Sequence, residues 1–179
     1  MCEAPATARP KRARGAVMAI TVRRLFADDW RESRAIRLEA LRTFPGNYFT
    51  SLAEAEARGD DVWRGMLMSA TLASFGLFDG ERLVGITAIE ATDRDTASLA
   101  MSYLSQPYRG RGLSAMLYAP RLDWARAKGV RRVLASHRAT NEPSRRAMLR
   151  HGFRHVGAAA HRWPDGTVED DVRYVLDLA

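Results

Sequence analysis

A mixed α/β domain is the fold class this sequence predicts, and three observations predict it. Short stretches with apolar residues at every second position are interspersed with stretches whose apolar residues recur at helical spacing. Two of the strand-like stretches, "TLASFGLF" and "RLVGITAIE", are joined by Asp79-Gly80, a two-residue hairpin signal, so the first half holds an antiparallel meander. A bare and basic turn, "RGRG" over 109–112, stands between a strand and a helix, where glycine lets the backbone turn sharply or approach a ligand. At 179 residues the chain is long enough for one domain with a sizeable core and short for two.

The first element is the strand "AITVRRL" over 19–25, by its alternation. In "DWRESRAIRLEALRTF", Asp29 and Glu32 have capping-box spacing, and Ala35, Leu38 and Leu41 recur at helical intervals. Pro45 and Gly46 end that helix. Ser51, with Glu54 three residues on, opens a second helix, and "DDVWRGMLMS" reads as a third. After the hairpin, "TASLAMSYL" is a further strand that stops before Pro107. The turn then leads into a helix running to about Lys128 and stopped by Gly129, with Pro120 expected to kink it. "RRVLAS" reads as a short buried strand. "NEPSRRAMLRHG" is a short helix with Asn141 as cap, Pro143 in its first turn and Gly152 at its end. "FRHVGAAAHRW", "PDG" and "TVEDDVRYVLDL" form a closing hairpin.

Composition narrows the function classes. The formal charge of +7 is carried almost wholly by arginine, which suits anionic ligands. Arg9, Lys11, Arg12 and Arg14 lie in an aperiodic Ala/Pro-rich stretch, and residues 1–18 are read as a disordered basic leader, with the single domain spanning 19–179. A nucleic-acid role has only this arm and the arginine excess behind it, without interleaved aromatics or a reading helix. The one cysteine, Cys2, excludes a disulfide framework and a thiolate cluster. His137, His151, His155 and His161 show no metal-binding spacing, so no metal is expected. With no membrane-length apolar run, a cytoplasmic protein is the expectation.

The glycine turn admits several readings. A nucleoside triphosphate loop needs wider glycine spacing and a lysine, and fails. Gly110, Gly112 and Ala115 formally satisfy a dinucleotide fingerprint, but the antiparallel hairpin upstream is foreign to that motif, and the next strand offers only His137 and Arg138 for a ribose. A coenzyme A pyrophosphate uses every residue of the stretch: the backbone N–H groups of Gly110, Gly112, Leu113 and Ser114 at a helix start, with Arg109 and Arg111 adding charge. A plain helix-capping turn stays open beside these.

Taken together, "QPYRGRGLSAMLY" and "NEPSRRAMLRHGFRHVG" some thirty residues later resemble the GNAT superfamily of N-acetyltransferases. Arg109, Gly112 and Ser114 fill its [QR]-x-x-G-x-[GA] signature, with serine where glycine or alanine is usual. Asn141 and Gly152-Phe153 match its second signature, and the opening helices resemble one common prokaryotic branch. The resemblance implies a mixed, mostly antiparallel sheet of six to seven strands flanked by helices, with acetyl-CoA as cofactor. It also implies transfer of the acetyl group to a primary amine by direct attack; a non-catalytic acyl-CoA sensor of the same fold is the alternative. Homodimers are frequent in the superfamily.

Residue roles follow from the resemblance. Leu104, Ser105 and Gln106 would pair with the pantetheine arm, a backbone N–H near Leu104 would meet the oxyanion, and Asn141 would contact the cofactor. Glu90 and His137 are candidate bases, and Tyr103 and Ser144 candidate proton donors to the thiolate. Met148 occupies the position at which many members carry a proton-donating tyrosine, and a thioether cannot replace it. The loop "FPGNYFTS" would overhang the acceptor, with Phe44, Tyr48 and Phe49 as walls and Glu54 attracting a cationic amine.

Overall fold

The structure, a computed structural model, describes residues 19–178; the expected basic leader lies outside the described residues. Seven strands form one sheet in the order β1-β2-β3-β4-β5-β7-β6. They are β1 (Ile20–Arg24), β2 (Leu72–Asp79), β3 (Arg82–Ala91), β4 (Thr96–Leu104), β5 (Arg132–Arg138), β6 (Arg154–Arg162) and β7 (Val168–Asp177). Every neighbouring pair is antiparallel except β4 and β5, which are parallel. The helices are α1 (Trp30–Thr43), α2 (Leu52–Glu56), α3 (Asp60–Met68), α4 (Tyr118–Ala127) and α5 (Glu142–Arg150). The predicted elements are all present, and in the predicted order.

Each face of the sheet carries its own core, because strand alternation sends apolar side chains both ways. On one face Trp30, Ile36 and Leu41 of α1 and Trp63 and Leu67 of α3 pack on Phe78, Ile86 and Tyr103. On the other, Tyr118, Trp124 and Ala125 of α4 and Met148 of α5 pack on Phe75, Ile89, Val133, Ala135 and Tyr174. Of the positions read at helical intervals, Leu38 and Leu41 are buried, together with Ile36 and Ala40, while Ala35 is exposed.

Two local expectations are corrected. The Asp29 side chain does not cap α1: its carboxylate accepts from both terminal guanidinium nitrogens of Arg23, at 2.9 and 2.6 Å, and from the Phe26 N–H at 2.8 Å. A charged bidentate partner outcompetes a backbone N–H for the same oxygens. Pro120 does not kink its helix either. A 3₁₀ segment, Leu113–Leu117, precedes α4, so Pro120 falls in the first turn, where a missing N–H forfeits no helical bond.

This placement is testable. Replacing Pro120 by Ala is expected to change the unfolding free energy by less than about 1 kcal/mol in urea titration, against roughly 3 kcal/mol for a proline inside a helix. A gain near the larger figure would show that Pro120 is strained where it stands.

Candidate functional site

The site begins where the two central strands part. β4 and β5 pair only from Thr96 to Ser98 against Arg132 to Leu134; beyond that, β4 runs on to Leu104 and β5 to Arg138 without pairing. The sheet therefore has a V-shaped opening in its middle. On its other edge β4 carries a bulge: Thr87 of β3 faces both Met101 and Ser102, and Met101 has a φ of 55°, the one positive φ among the described non-glycine residues. The Ser105 N–H donates to the Val84 carbonyl at 2.9 Å and thus faces β3. By alternation the backbone groups of Ser102 and Leu104 face the opening.

Side chains replace the missing strand on part of this edge. The Tyr48 hydroxyl donates to the Ser102 carbonyl at 3.1 Å, and Arg109 Nε donates to the Leu104 carbonyl at 2.7 Å. The amides of the same two residues are the groups left for a ligand. The predicted pairing edge, Leu104 to Gln106, is thereby shifted. Ser105 is turned to β3, and the Ser105 and Gln106 carbonyls accept from Tyr108 and Arg109 in a 3₁₀ turn, Gln106–Tyr108. The open edge ends at Leu104 and reaches back to Ser102, which the sequence reading did not single out.

Beyond that edge lies the glycine turn. Gly110 and Gly112 have φ values of 72° and 75°, and a Cβ on either would meet nothing within 4 Å, so this backbone is both left-handed and open. Leu113 and Ser114 follow in the 3₁₀ segment, whose first N–H groups lack helical acceptors. Arg111 is exposed here, its guanidinium 5.5 Å above the Tyr108 ring. Arg109 is not beside it: its guanidinium bends back over Phe44 and Tyr103, at 4.6 and 5.0 Å from the ring centroids.

On the α4 and α5 face, Asn141 accepts the Ser144 N–H with its side chain at 3.3 Å, and so caps α5 as expected. Ser144 is half-buried in the first turn of that helix. Met148 is buried in the core, and Tyr118 stacks on His151 with ring centroids 3.8 Å apart. Sequence reasoning missed Arg121. It is 1% exposed, donates to the Leu117 carbonyl at 2.9 Å and to Ser102 Oγ at 3.0 Å, and lies 4.5 Å from the Tyr118 ring centroid. Ser102 Oγ also bonds Thr87 at 2.9 Å, so the bulge is tied to α4. Burial pushes the Arg121 guanidinium down to about 10, which leaves it charged at neutral pH. Its signal was a charged residue between Leu117 and Trp124 on the apolar face of a helix.

The opposite face is roofed by the loop after α1. Phe44 lies edge-on to Tyr103 at 6.4 Å, and Tyr48 is held on Ser102. Phe49 stacks on Trp163 at 5.2 Å and meets His161 at 5.0 Å, although 59% of it stays exposed. Arg138 fastens the loop to the closing hairpin through the Gly46 carbonyl, Asp165, Glu169 and Thr167. A Cβ at Gly46 would displace the ends of the Arg138 and Asp165 side chains, so glycine here lets the two close on the loop. Thr167 and Arg138 hold the Asp165 carboxyl down to about 2, and Arg138 chiefly lowers Glu169. Glu54 is committed elsewhere, accepting the Ser51 N–H and hydroxyl at 2.7 and 2.9 Å in its own capping box.

The four acid–base candidates are not brought together. The Tyr103 hydroxyl donates to Glu39 at 2.8 Å, and burial, with that carboxylate, raises its pKa. His137 is 4% exposed and bonds the Arg138 carbonyl through Nδ1 at 2.7 Å. A carbonyl only accepts, so Nδ1 carries the proton and Nε2 accepts from the Tyr174 hydroxyl at 3.3 Å. Glu90 is exposed on β3 opposite Ser98, level with the closed end of the V. Ser144 stands apart from all three on α5.

The sequence matches the acetyltransferase (GNAT) family over residues 24–153. The chain is similar to a solved acetyltransferase of the GNAT family from Streptococcus pneumoniae, with 20% identity and a TM-score of 0.75 over 89% of this chain and 100% of that one. It is similar to the Salmonella typhimurium protein yncA, solved with its cofactor acetyl-CoA, at 18% identity and a TM-score of 0.76 over 90% of this chain and 95% of that one. It is also similar to a ribosomal-protein-alanine N-acetyltransferase from Brucella melitensis, at 19% identity and a TM-score of 0.75 over 88% and 99%. No curated protein matches the sequence. No described helix is long and apolar enough to cross a membrane.

The Arg138 fastening yields a pH prediction. Because the folded pKa values of Asp165 and Glu169 lie below ordinary carboxylate values near 4, the clamp is fully present above about pH 5 and lost as pH falls toward 2. Protection of amides 44–50, taken as exchange relative to the intrinsic rate at each pH, should fall across that window, and in an Arg138→Met variant it should be low throughout. Protection unchanged down to pH 2 would show that the carboxylates do not hold the loop. Gly46→Ala should raise exchange of the same amides at neutral pH.

Proposed function

The chain belongs to the GNAT acetyltransferase family, and from its site we propose that it transfers an acetyl group from acetyl-CoA to an amine by direct attack within a ternary complex. One observation carries this reading: β4 leaves β5 after Ser98, and its open edge points at a left-handed, Cβ-free turn at Gly110 and Gly112. Acetyl-CoA, when bound, supplies an activated acyl group as a thioester.

The residues present fit that group. The amides of Ser102 and Leu104 face the opening and can pair with an extended arm, as a sheet edge pairs with a strand. The amides after Gly112 converge at a helix start, where they and exposed Arg111 suit a pyrophosphate. The backbone donors on β4 are fixed by the bulge, so they need not reorganise when charge develops on a carbonyl oxygen. Asn141 marks the α5 flank of the cofactor.

Acid–base work falls to fewer groups than the sequence offered. Tyr103 is a weak donor because its proton is held by Glu39. His137 has both ring nitrogens occupied. Ser144, half-buried at the start of α5, is the donor we assign to the departing thiolate, since Met148 has no proton to give. Glu90 lies opposite Ser98 at the closed end of the V, several residues along β4 from the edge at Ser102 and Leu104, so we assign it no part in deprotonating the amine.

Calorimetric titration with acetyl-CoA, followed by thiol release with a panel of amines, tests the proposal. Binding and release with one amine class are expected; absence of acetyl-CoA binding overturns the cofactor, and binding without release across the panel overturns the transfer. Gly112→Val should weaken acetyl-CoA binding tenfold or more, because a β-branched residue is strained at a φ of 75° and fills the open backbone.

A further inference from the structure

α1 carries one charge on its buried side that the fold does not use. Arg37 is 5% exposed, between buried Ile36 and Leu38, and its guanidinium lies 4.2 Å above the Tyr48 ring. Its Nη1 is buried with no hydrogen-bond partner, and it makes no ion pair among the described residues. The other charge that bears on it is a second cation, Arg58. Burial pushes Arg37 down to about 10, so at neutral pH it stays charged. A buried, unpaired guanidinium is among the costlier arrangements a core can hold, whereas an apolar side chain of that length would pack without cost.

A second, independent observation points to the same place. Arg109, which reaches the loop from the far end of β4, also has a buried nitrogen, Nη2, with no partner, while its Nε holds the Leu104 carbonyl. Both guanidiniums bear on the Tyr48 phenol, whose hydroxyl sits on the Ser102 carbonyl at the open edge of β4. Two unsatisfied donors thus lie beneath the loop over the V, Arg37 against the Tyr48 ring and Arg109 against Phe44 and Tyr103.

We propose that Arg37 and Arg109 form a carboxylate subsite for the acceptor, so that the acceptor is an amine bearing a carboxylate, of amino-acid type. This rests on the acetyltransferase reading. A guanidinium offers parallel N–H donors in one plane, which match a planar carboxylate, and stacking on an aromatic ring fixes that plane. The amine of such a molecule reaches the open edge at Ser102 and Leu104 while its carboxylate stays at the arginines. The aromatic walls receive an apolar side chain. A polyamine or another polycation is repelled by the same two charges.

Calorimetry with the twenty N-acetyl-amino acids and their primary amides, with and without coenzyme A, tests the subsite without requiring turnover. At least one carboxylate is expected to bind ten or more times more tightly than its amide. Arg37→Met and Arg37→Gln should abolish that difference, keep acetyl-CoA affinity, and melt at or above the wild-type temperature, since they remove an unpaired buried charge. Amides binding as well as acids in the wild type would overturn the subsite, as would no binding of either. An Arg37→Met protein that melts well below wild type would make the arginine structural and overturn it too. Loss of acetyl-CoA binding by the wild type would instead overturn the transfer reading, which this experiment reads separately.

Discussion

The structure depends on the parting of β4 from β5. A parallel pair in an otherwise antiparallel sheet is held by only three residues on each strand, and everything beyond them leaves backbone groups unpaired in the middle of a sheet rather than at its rim. Unpaired N–H and C=O groups in such a place must find partners. The carbonyls of Ser102 and Leu104 find Tyr48 and Arg109, and this requirement brings the loop after α1 to β4 and bends Arg109 away from the glycine turn. Among the described residues no side chain substitutes in the same way for the amides, and that asymmetry makes the opening a binding edge instead of a packing defect.

The bulge is what keeps the opening in place. A methionine at a φ of 55° costs about 1–2 kcal/mol relative to ordinary strand geometry, and it persists because its neighbours over-determine it. Ser102 is held from the β3 side by Thr87 and from the α4 side by Arg121, so β4 cannot relax into regular pairing without stranding a buried guanidinium. Arg121 and Arg37 therefore differ in kind, although both are buried arginines beside the same strand. The first has oxygen partners for its donors and fixes a shape; the second lacks one at Nη1 and fixes nothing.

Most of the fold was legible in the sequence because its signals are local. Alternation in β1, the Asp79-Gly80 hairpin, the Ser51–Glu54 box and the Asn141 cap each act within a few residues, and each element formed where its pattern lay. The misreadings came from competition at a distance. Asp29 has the right spacing for a cap, but Arg23 takes its oxygens. The site was legible in part for the same reason: the glycines at 110 and 112 declare their backbone, whereas the V depends on register between strands thirty residues apart. Arg37 and Arg121 escaped notice because charge on a helix is read as facing water, and a single sequence cannot say which turn faces inward.

Seen as energetics, several departures from local rules meet at the opening. The left-handed Met101, the buried Arg121, the paired-off carbonyls of Ser102 and Leu104, and the orphan nitrogens of Arg37 and Arg109 all lie at or beside the stretch from Met101 to Arg109 or the loop above it. Elsewhere β1 to β4 pair with only local shifts in register, and the cores on both faces are apolar. A chain that satisfied every group in this segment would close the V with a continuous strand and lose the edge on which a ligand can lie. A left-handed methionine and unmet hydrogen bonding beside an unpaired strand edge are what is expected where stability has been exchanged for function. It also explains why the two faces of the opening differ: the α4 side is fully tied and suits a ligand held the same way each time, while the α1 side keeps free donors under a clamped loop and suits the partner that must be chosen.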